Sequence, residues 1–218
     1  MQAIQGDRDH YQPLNTRLCS AGDPYALTSA LLALYPFSTI YIADLDALMG
    51  RASNWNLIQN LAAQFSNTTF WVDQGLSLPT KANGSDFDWT PVLGSESIDQ
   101  AALETWHSLG AEPMILSLDF SFSGFLGPKA LLESNEFWPE RVIIMSLPSV
   151  GAKQGPDWER LTHLKQKWPR QNFIAAGGVR HEQDLQQLRG LGFRGVLVAT
   201  ALHQERISAP LIERLRRK

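Results

Sequence analysis

The residues best placed to do chemistry in this 218-residue chain are small ones. Residues 173–179 read FIAAGGV, a buried-strand pattern running into the paired glycines Gly177 and Gly178. One helix later, residues 195–201 read GVLVATA, and this second strand ends at Ala199 and Thr200. Small side chains let backbone approach an anion closely, and N–H groups at the next helix start can complete a phosphate cradle. In parallel barrels the loops after the seventh and eighth strands commonly build such a site. An earlier stretch has the same character, with Gly75 followed by Gly94 and Ser95. Two anion cups are therefore expected, one at Gly75, Gly94 and Ser95 and one at Gly177, Gly178, Ala199 and Thr200. The plainer reading of each glycine pair is a strand-to-loop turn. Lys153 is a candidate substrate-binding cation on the second rim, with a solvent-facing loop lysine as the plainer reading.

Three carboxylates follow apolar runs directly: Asp44 after YIA, Asp73 after FWV and Asp119 after LSL. Carboxylates gathered at one rim repel one another, which raises a pKa into the range useful for general acid–base work. Asp119 and Asp44 are the candidate catalytic pair, while Asp73 reads better as a cap of the following loop. No histidine joins the three at ligand spacing, so no metal is expected. The five histidines are scattered, the seven tryptophans suit packing, and no cofactor motif stands out.

Short apolar segments at 39–43, 69–72, 90–93, 114–118, 141–145, 172–175 and 195–198 alternate with amphipathic stretches at 24–35, 54–65, 99–109, 156–168 and 181–191. Continuous apolar character suits strands covered on both faces, and the alternation predicts right-handed βα units. Asp23-Pro24, Ser53 and Asp99 read as helix starts, and Gly110 and Gly192 as stops. The connections around 78–87 and 127–137 carry no clear helix pattern. An internal repeat favours a barrel over a doubly wound sheet. Gly75 and Gly178 are 103 residues apart, Gly94 and Ala199 are 105 apart, and Asp44 and Ser146 are 102 apart. The expectation is one α/β domain over 1–218, a (β/α)8 TIM barrel of two half-barrel repeats with an incomplete first strand.

A net charge of −3 offers no nucleic-acid footprint, and the basic tail from Arg214 to Lys218 reads as a solvated helix end. The lone Cys19 excludes an internal disulfide framework, no apolar run reaches membrane-spanning length, and the N-terminus has no signal-peptide pattern. A cytoplasmic protein without a membrane partner is expected.

Taken together, YIADLDAL (41–48), VLGSES (92–97), LSLDF (116–120), VGAKQGPD (150–157), AAGGVR (175–180) and LVATAL (197–202) resemble the HisA/HisF group of histidine biosynthesis. The early GDR-x-x-Y-x-P segment, Gly6 to Pro13, with the ADLDA strand end, is most similar to a HisA/HisF-related branch of methanogens and methylotrophs. The resemblance implies a half-barrel-repeat TIM barrel acting on phosphoribosyl compounds. For the branch it implies a link to one-carbon (methanopterin/methanofuran) metabolism. Asp119 matches the acid that ends the family's fifth strand. The partner acid ends the family's first strand, which this sequence lacks, since residues 1–5 look like the stretch after it. Val150-Gly151-Ala152 replaces the family's Asp-Gly-Thr, and the segment from Asp73 to Ser77 loses an arginine. Gly94-Ser95, Gly177-Gly178 and Ala199-Thr200 match phosphate-binding positions.

The function expected is an enzyme binding a phosphorylated small molecule, with isomerase, lyase or cyclase chemistry run by Asp119 and Asp44. The alternative is a non-catalytic barrel that binds a metabolite or partner. A barrel open at its first strand exposes two sheet edges. Either residues 1–5 then add a short strand, or a second copy or partner chain covers the gap.

Overall fold

A computed structural model describes residues 3–14, 16–19, 22–76, 88–108, 114–152 and 154–216. The strands are β1 (Thr39–Ala43), β2 (Thr69–Asp73), β3 (Trp89–Gly94), β4 (Ile115–Ser121), β5 (Gly124–Leu126), β6 (Arg141–Ser146), β7 (Asn172–Ala176) and β8 (Gly195–Leu197). The helices are α1 (Pro24–Leu34), α2 (Leu45–Leu48), α3 (Trp55–Gln64), α4 (Gln100–Ser108), α5 (Ala130–Glu133), α6 (Trp158–Lys167), α7 (Glu182–Gly190), α8 (Thr200–His203) and α9 (Ala209–Arg216). The sheet runs β1-β2-β3-β4-β6-β7-β8, with β5 paired to β4 off that path. Parallel strands in sequential order, alternating with helices, place the chain in the (β/α)8 barrel class. The seven apolar segments become the seven strands of the path, with ends that move by a residue or a few.

Two compact units make up the chain. One is Ser38–Asp119 with Phe125–Ile143. Its ladders are parallel and in register: Ala43 lies opposite Asp73, Asp73 opposite Val92, and Gly94 opposite Ser117. Phe70, Val72, Val92, Ile115, Leu116 and Leu118 are fully buried along these strands, each worth about 1.5–3 kcal/mol over an exposed position. Trp55 of α3 packs edge-on against Trp89, their ring centroids 4.9 Å apart.

The other unit is Met1–Phe37, Phe120–Gly124 and Ile144–Lys218. It holds the parallel β7–β8 ladder, with Ile174 opposite Gly195 and Ala176 opposite Leu197. Helix α1 starts as the sequence indicates, with Pro24 in the first turn and the Asp23 carboxylate accepting from the Tyr25 N–H. Asp157 caps α6 in the same way through the Arg160 N–H. Phe173 lies against Phe193 in the core.

Three features differ from expectation. After β4 the chain turns at Phe122 and Ser123 and returns as the short strand β5, a hairpin that the sequence does not announce. Strands β1 and β8 are half-buried throughout, unlike β3, whose six residues are all buried. Each lies at an end of the strand order, with one neighbour among the described residues. Of the anticipated N-terminal strand, residues 3–5 form no strand, and Met1 and Gln2 lie outside the described residues. The segment is pinned otherwise: the Gln5 N–H donates to the Val150 carbonyl at 2.9 Å. Gly151 sits so close that a Cβ there would lie 2.1 Å from the Ala3 carbonyl oxygen, with φ at +75°. The connection at 78–87, Gly110, Lys153 and the last two basic residues lie outside the described residues.

Gly151→Ala therefore carries both a left-handed backbone penalty and a backbone collision. It is expected to cost about 1–3 kcal/mol and to release residues 3–5. Hydrogen exchange at the Gln5 amide reads this directly, and unchanged protection there would refute it.

Candidate functional site

In-register parallel strands bring their C-terminal ends to one level, and side chains two residues apart share a face. Tyr41, Asp73, Gly94, Ser117 and Asp119 therefore lie on a single face of β1–β4. Asp119 is only 4% exposed. The Ser117 hydroxyl donates to its Oδ1 at 2.6 Å, and the Glu96 N–H donates to its Oδ2 at 3.3 Å. The Asp119 N–H in turn donates to Ser95 Oγ at 2.9 Å. Burial pushes the Asp119 carboxyl up to about 8; the Ser117 bond opposes this, and the neighbouring Asp73 and Glu96 charges reinforce it. At neutral pH this group keeps its proton.

Asp73 is buried beside it. The Tyr41 hydroxyl donates to its Oδ2 at 3.1 Å and the Gly75 N–H to its Oδ1 at 3.3 Å. Burial, then the Asp73 charge, raises the Tyr41 phenol well above its usual value, so it remains a donor.

Asp44 is a node of structure. Its carboxylate accepts from the N–H and the side-chain amide of Asn54, at 2.7 and 2.8 Å, and from the Ala47 N–H at the start of α2. It also accepts from the Ser53 hydroxyl and from the Gln74 amide, both at 3.1 Å. Burial works against the charge, but the Asn54 bonds outweigh it and hold this carboxyl below its usual range. Gln74, 1% exposed, gives its amide to Asp44 and Ser53, and its Oε1 is buried without a partner. Nothing in the sequence singles out Gln74, because a polar residue after a strand normally reads as a turn.

The two expected cups differ in kind. Gly75, Gly94 and Ser95 are buried. The Ser95 hydroxyl donates to the Leu126 carbonyl at 2.5 Å, so the β5 hairpin occupies it. A Cβ on Gly94 would lie 2.9 Å from Asp119 Oδ2 and 3.8 Å from Asp73 Oδ2. This glycine makes room for carboxylates.

Gly177 and Gly178 are half-buried and both left-handed, at φ +99° and +83°. Cβ atoms there would lie 2.5 Å from the Ser146 carbonyl oxygen and 2.2 Å from the Gly155 carbonyl oxygen, so both glycines are obligatory. Ala199 is exposed and Thr200 half-buried at the start of α8. Arg180 next to the pair makes a fork with the buried Asp184, at 3.1 Å from Nε and 3.0 Å from Nη2. Burial opposes the Asp184 charge, but these bonds hold its pKa below the usual range. Lys153 lies outside the described residues.

Among the described residues no cluster of three or more His, Cys, Asp or Glu is arranged to hold a metal ion, and no helix is long and apolar enough to cross a membrane.

A family model described as histidine biosynthesis protein matches residues 129–208. An uncharacterised protein of Methanocaldococcus jannaschii is 27% identical over 202 residues, covering 91% of this chain and 85% of the relative. A phosphoribosyl-imidazole-4-carboxamide isomerase of Lactiplantibacillus plantarum is 26% identical over 183 residues, covering 75% and 74%. One of Serratia proteamaculans is 30% identical over 135 residues, covering 54% of this chain and 55% of the relative. With the barrel topology already described, these matches support a likeness of the chain to the HisA/HisF-related family.

Proposed function

We propose that this protein is an acid–base enzyme acting on a phosphorylated, phosphoribosyl-type small molecule, with Asp119 carrying the proton. The observation that carries this reading is the buried Asp119 carboxyl, which stays protonated at neutral pH between Ser117, Glu96 and Asp73. A general acid works best when its pKa lies near the operating pH, which suits an isomerisation, aldol-type or cyclisation step. The similar isomerases of bacteria, whose names specify phosphoribosyl substrates, support the substrate class.

Phosphate is assigned to Gly177, Gly178, Ala199 and Thr200. That rim is accessible and made of small residues, whereas the cup at Gly75, Gly94 and Ser95 is buried among carboxylates. Asp44 enters as the residue that holds Gln74 and the α3 start in place. The reading includes a cytoplasmic setting, a role in one-carbon metabolism and a second chain along β1; half-exposure of Thr39–Ala43 supports the last of these.

A second reading, a barrel that binds the ligand without converting it, is favoured by the near-complete burial of Asp119. Turnover of a phosphoribosyl imidazole-carboxamide substrate separates the two. The enzyme reading expects activity that declines as pH rises through 8 and falls at least about 100-fold in Asp119→Asn. Binding with no turnover at any pH would favour the second.

Ribose 5-phosphate is expected to bind where ribose does not. Thr200→Asp, which puts a carboxylate at the phosphate position, should weaken it at least about tenfold by calorimetry. Equal binding to both forms of the protein would remove the assignment.

Stability carries the same proton. The unfolded carboxyl titrates near 3.9, so between about pH 4 and 8 the native chain holds a proton that the unfolded chain has released. The contribution of Asp119 to stability is therefore lost as pH rises through that window. Asp119→Asn should flatten the decline by a few kcal/mol in denaturant titrations at pH 5 and pH 9. Parallel pH profiles in the two proteins would contradict it.

A further inference from the structure

We infer that Asp73 is the positioning residue for the Asp119 proton, held by Tyr41 so that both carboxylates converge on the space above Gly94. The inference rests on the acid–base reading above and adds a residue that the pairing of Asp119 with Asp44 leaves out.

Register brings the two acids together. Asp73 ends β2, Gly94 ends β3, and Asp119 stands two residues past the partner of Gly94 on β4. All three share a face, so a side chain at position 94 would stand between the two acids. There is none, and oxygens of both acids lie within 3.8 Å of the place its first carbon would take.

Two buried carboxylates so placed do not ionise independently; when one is held ionised, the other keeps its proton. Both acids accept a hydroxyl and a backbone N–H, and burial of Asp119 beside the Asp73 charge decides which keeps the proton. Each Asp73 oxygen accepts from a donor that stays protonated, the Tyr41 phenol on Oδ2 and the Gly75 N–H on Oδ1. That arrangement supports a charge on Asp73, and the charge together with burial leaves the proton with Asp119. The titratable groups facing this pair are Tyr41 from β1 and Glu96 from the turn after β3. Glu96 adds negative charge but also gives Asp119 a backbone N–H, so its two effects oppose. Asp44 lies in a separate network with Asn54, Ser53 and Gln74.

The test is a carbon-13 titration of aspartate side-chain carboxyls in the full chain, with Asp119 assigned by Asp119→Asn. The native protein is expected to titrate near 8 at Asp119. Asp73→Asn should lower that midpoint by roughly one unit or more, and Glu96→Gln should move it less. Gly94→Ala offers an independent route, because φ there is −75° and the backbone accepts alanine. Its methyl displaces the Asp119 carboxylate from Asp73 and should also lower the midpoint, without changing any charge. A midpoint in Asp73→Asn and Gly94→Ala within about half a unit of the native one would overturn the inference, as would a larger shift in Glu96→Gln than in Asp73→Asn. A native midpoint near 4 would instead defeat the acid–base reading itself.

Discussion

The burial of one carboxyl organises the site. Asp119 of β4 is buried beside the end of β3, and the desolvation this imposes exceeds what its hydrogen bonds from Ser117 and Glu96 return. A charged group placed there would be expensive, and protonation is the cheaper state. Neighbouring features follow from that constraint. Position 94 has no side chain because the carboxylate needs the space. The Ser95 hydroxyl is bound to Leu126, and the same oxygen accepts from the Asp119 backbone.

The small residues in the two halves of the sequence are put to different uses. In the first half, glycine at the end of β3 admits acidic side chains. In the second, Gly177 and Gly178 let backbone pass close to the backbone of residues 146 and 155, leaving a half-exposed turn. The same sequence pattern thus serves packing of charge in one place and packing of main chain in the other. The Arg180–Asp184 fork reinforces the second, since Arg180 also donates to the Gln154 carbonyl.

The sequence showed most of the architecture because parallel strands covered on both faces leave continuous apolar runs, and capping residues such as Asp23 and Asp99 mark helix starts. It could not show the β5 hairpin, whose three residues are too few to carry a period. At the site, all three acids follow apolar runs, and from the sequence Asp44 pairs with Asp119 while Asp73 caps a loop. What separates them is who donates to each. Asp44 meets five donors from its own loop, α2 and Gln74, whereas Asp73 reaches across to Tyr41 on the next strand. Such cross-strand pairing depends on register, and composition or spacing does not reveal it. The alternation of side chains along a strand was the one available clue, as it sets Asp73, Gly94 and Asp119 on a common face.

Strand β1 also bears on how the molecule behaves in concentrated solution. Its Thr-Ile-Tyr-Ile-Ala run is half-exposed and β-branched at three of five residues, and among the described residues it pairs on one side only. Such a margin is a template for accretion of further strands. β8, at three residues, offers a much shorter one. Colloidal behaviour, from expression yield to crystal habit, should therefore answer to substitutions at Thr39, Ile40 and Ile42 far more than to any at Gly195, Val196 or Leu197.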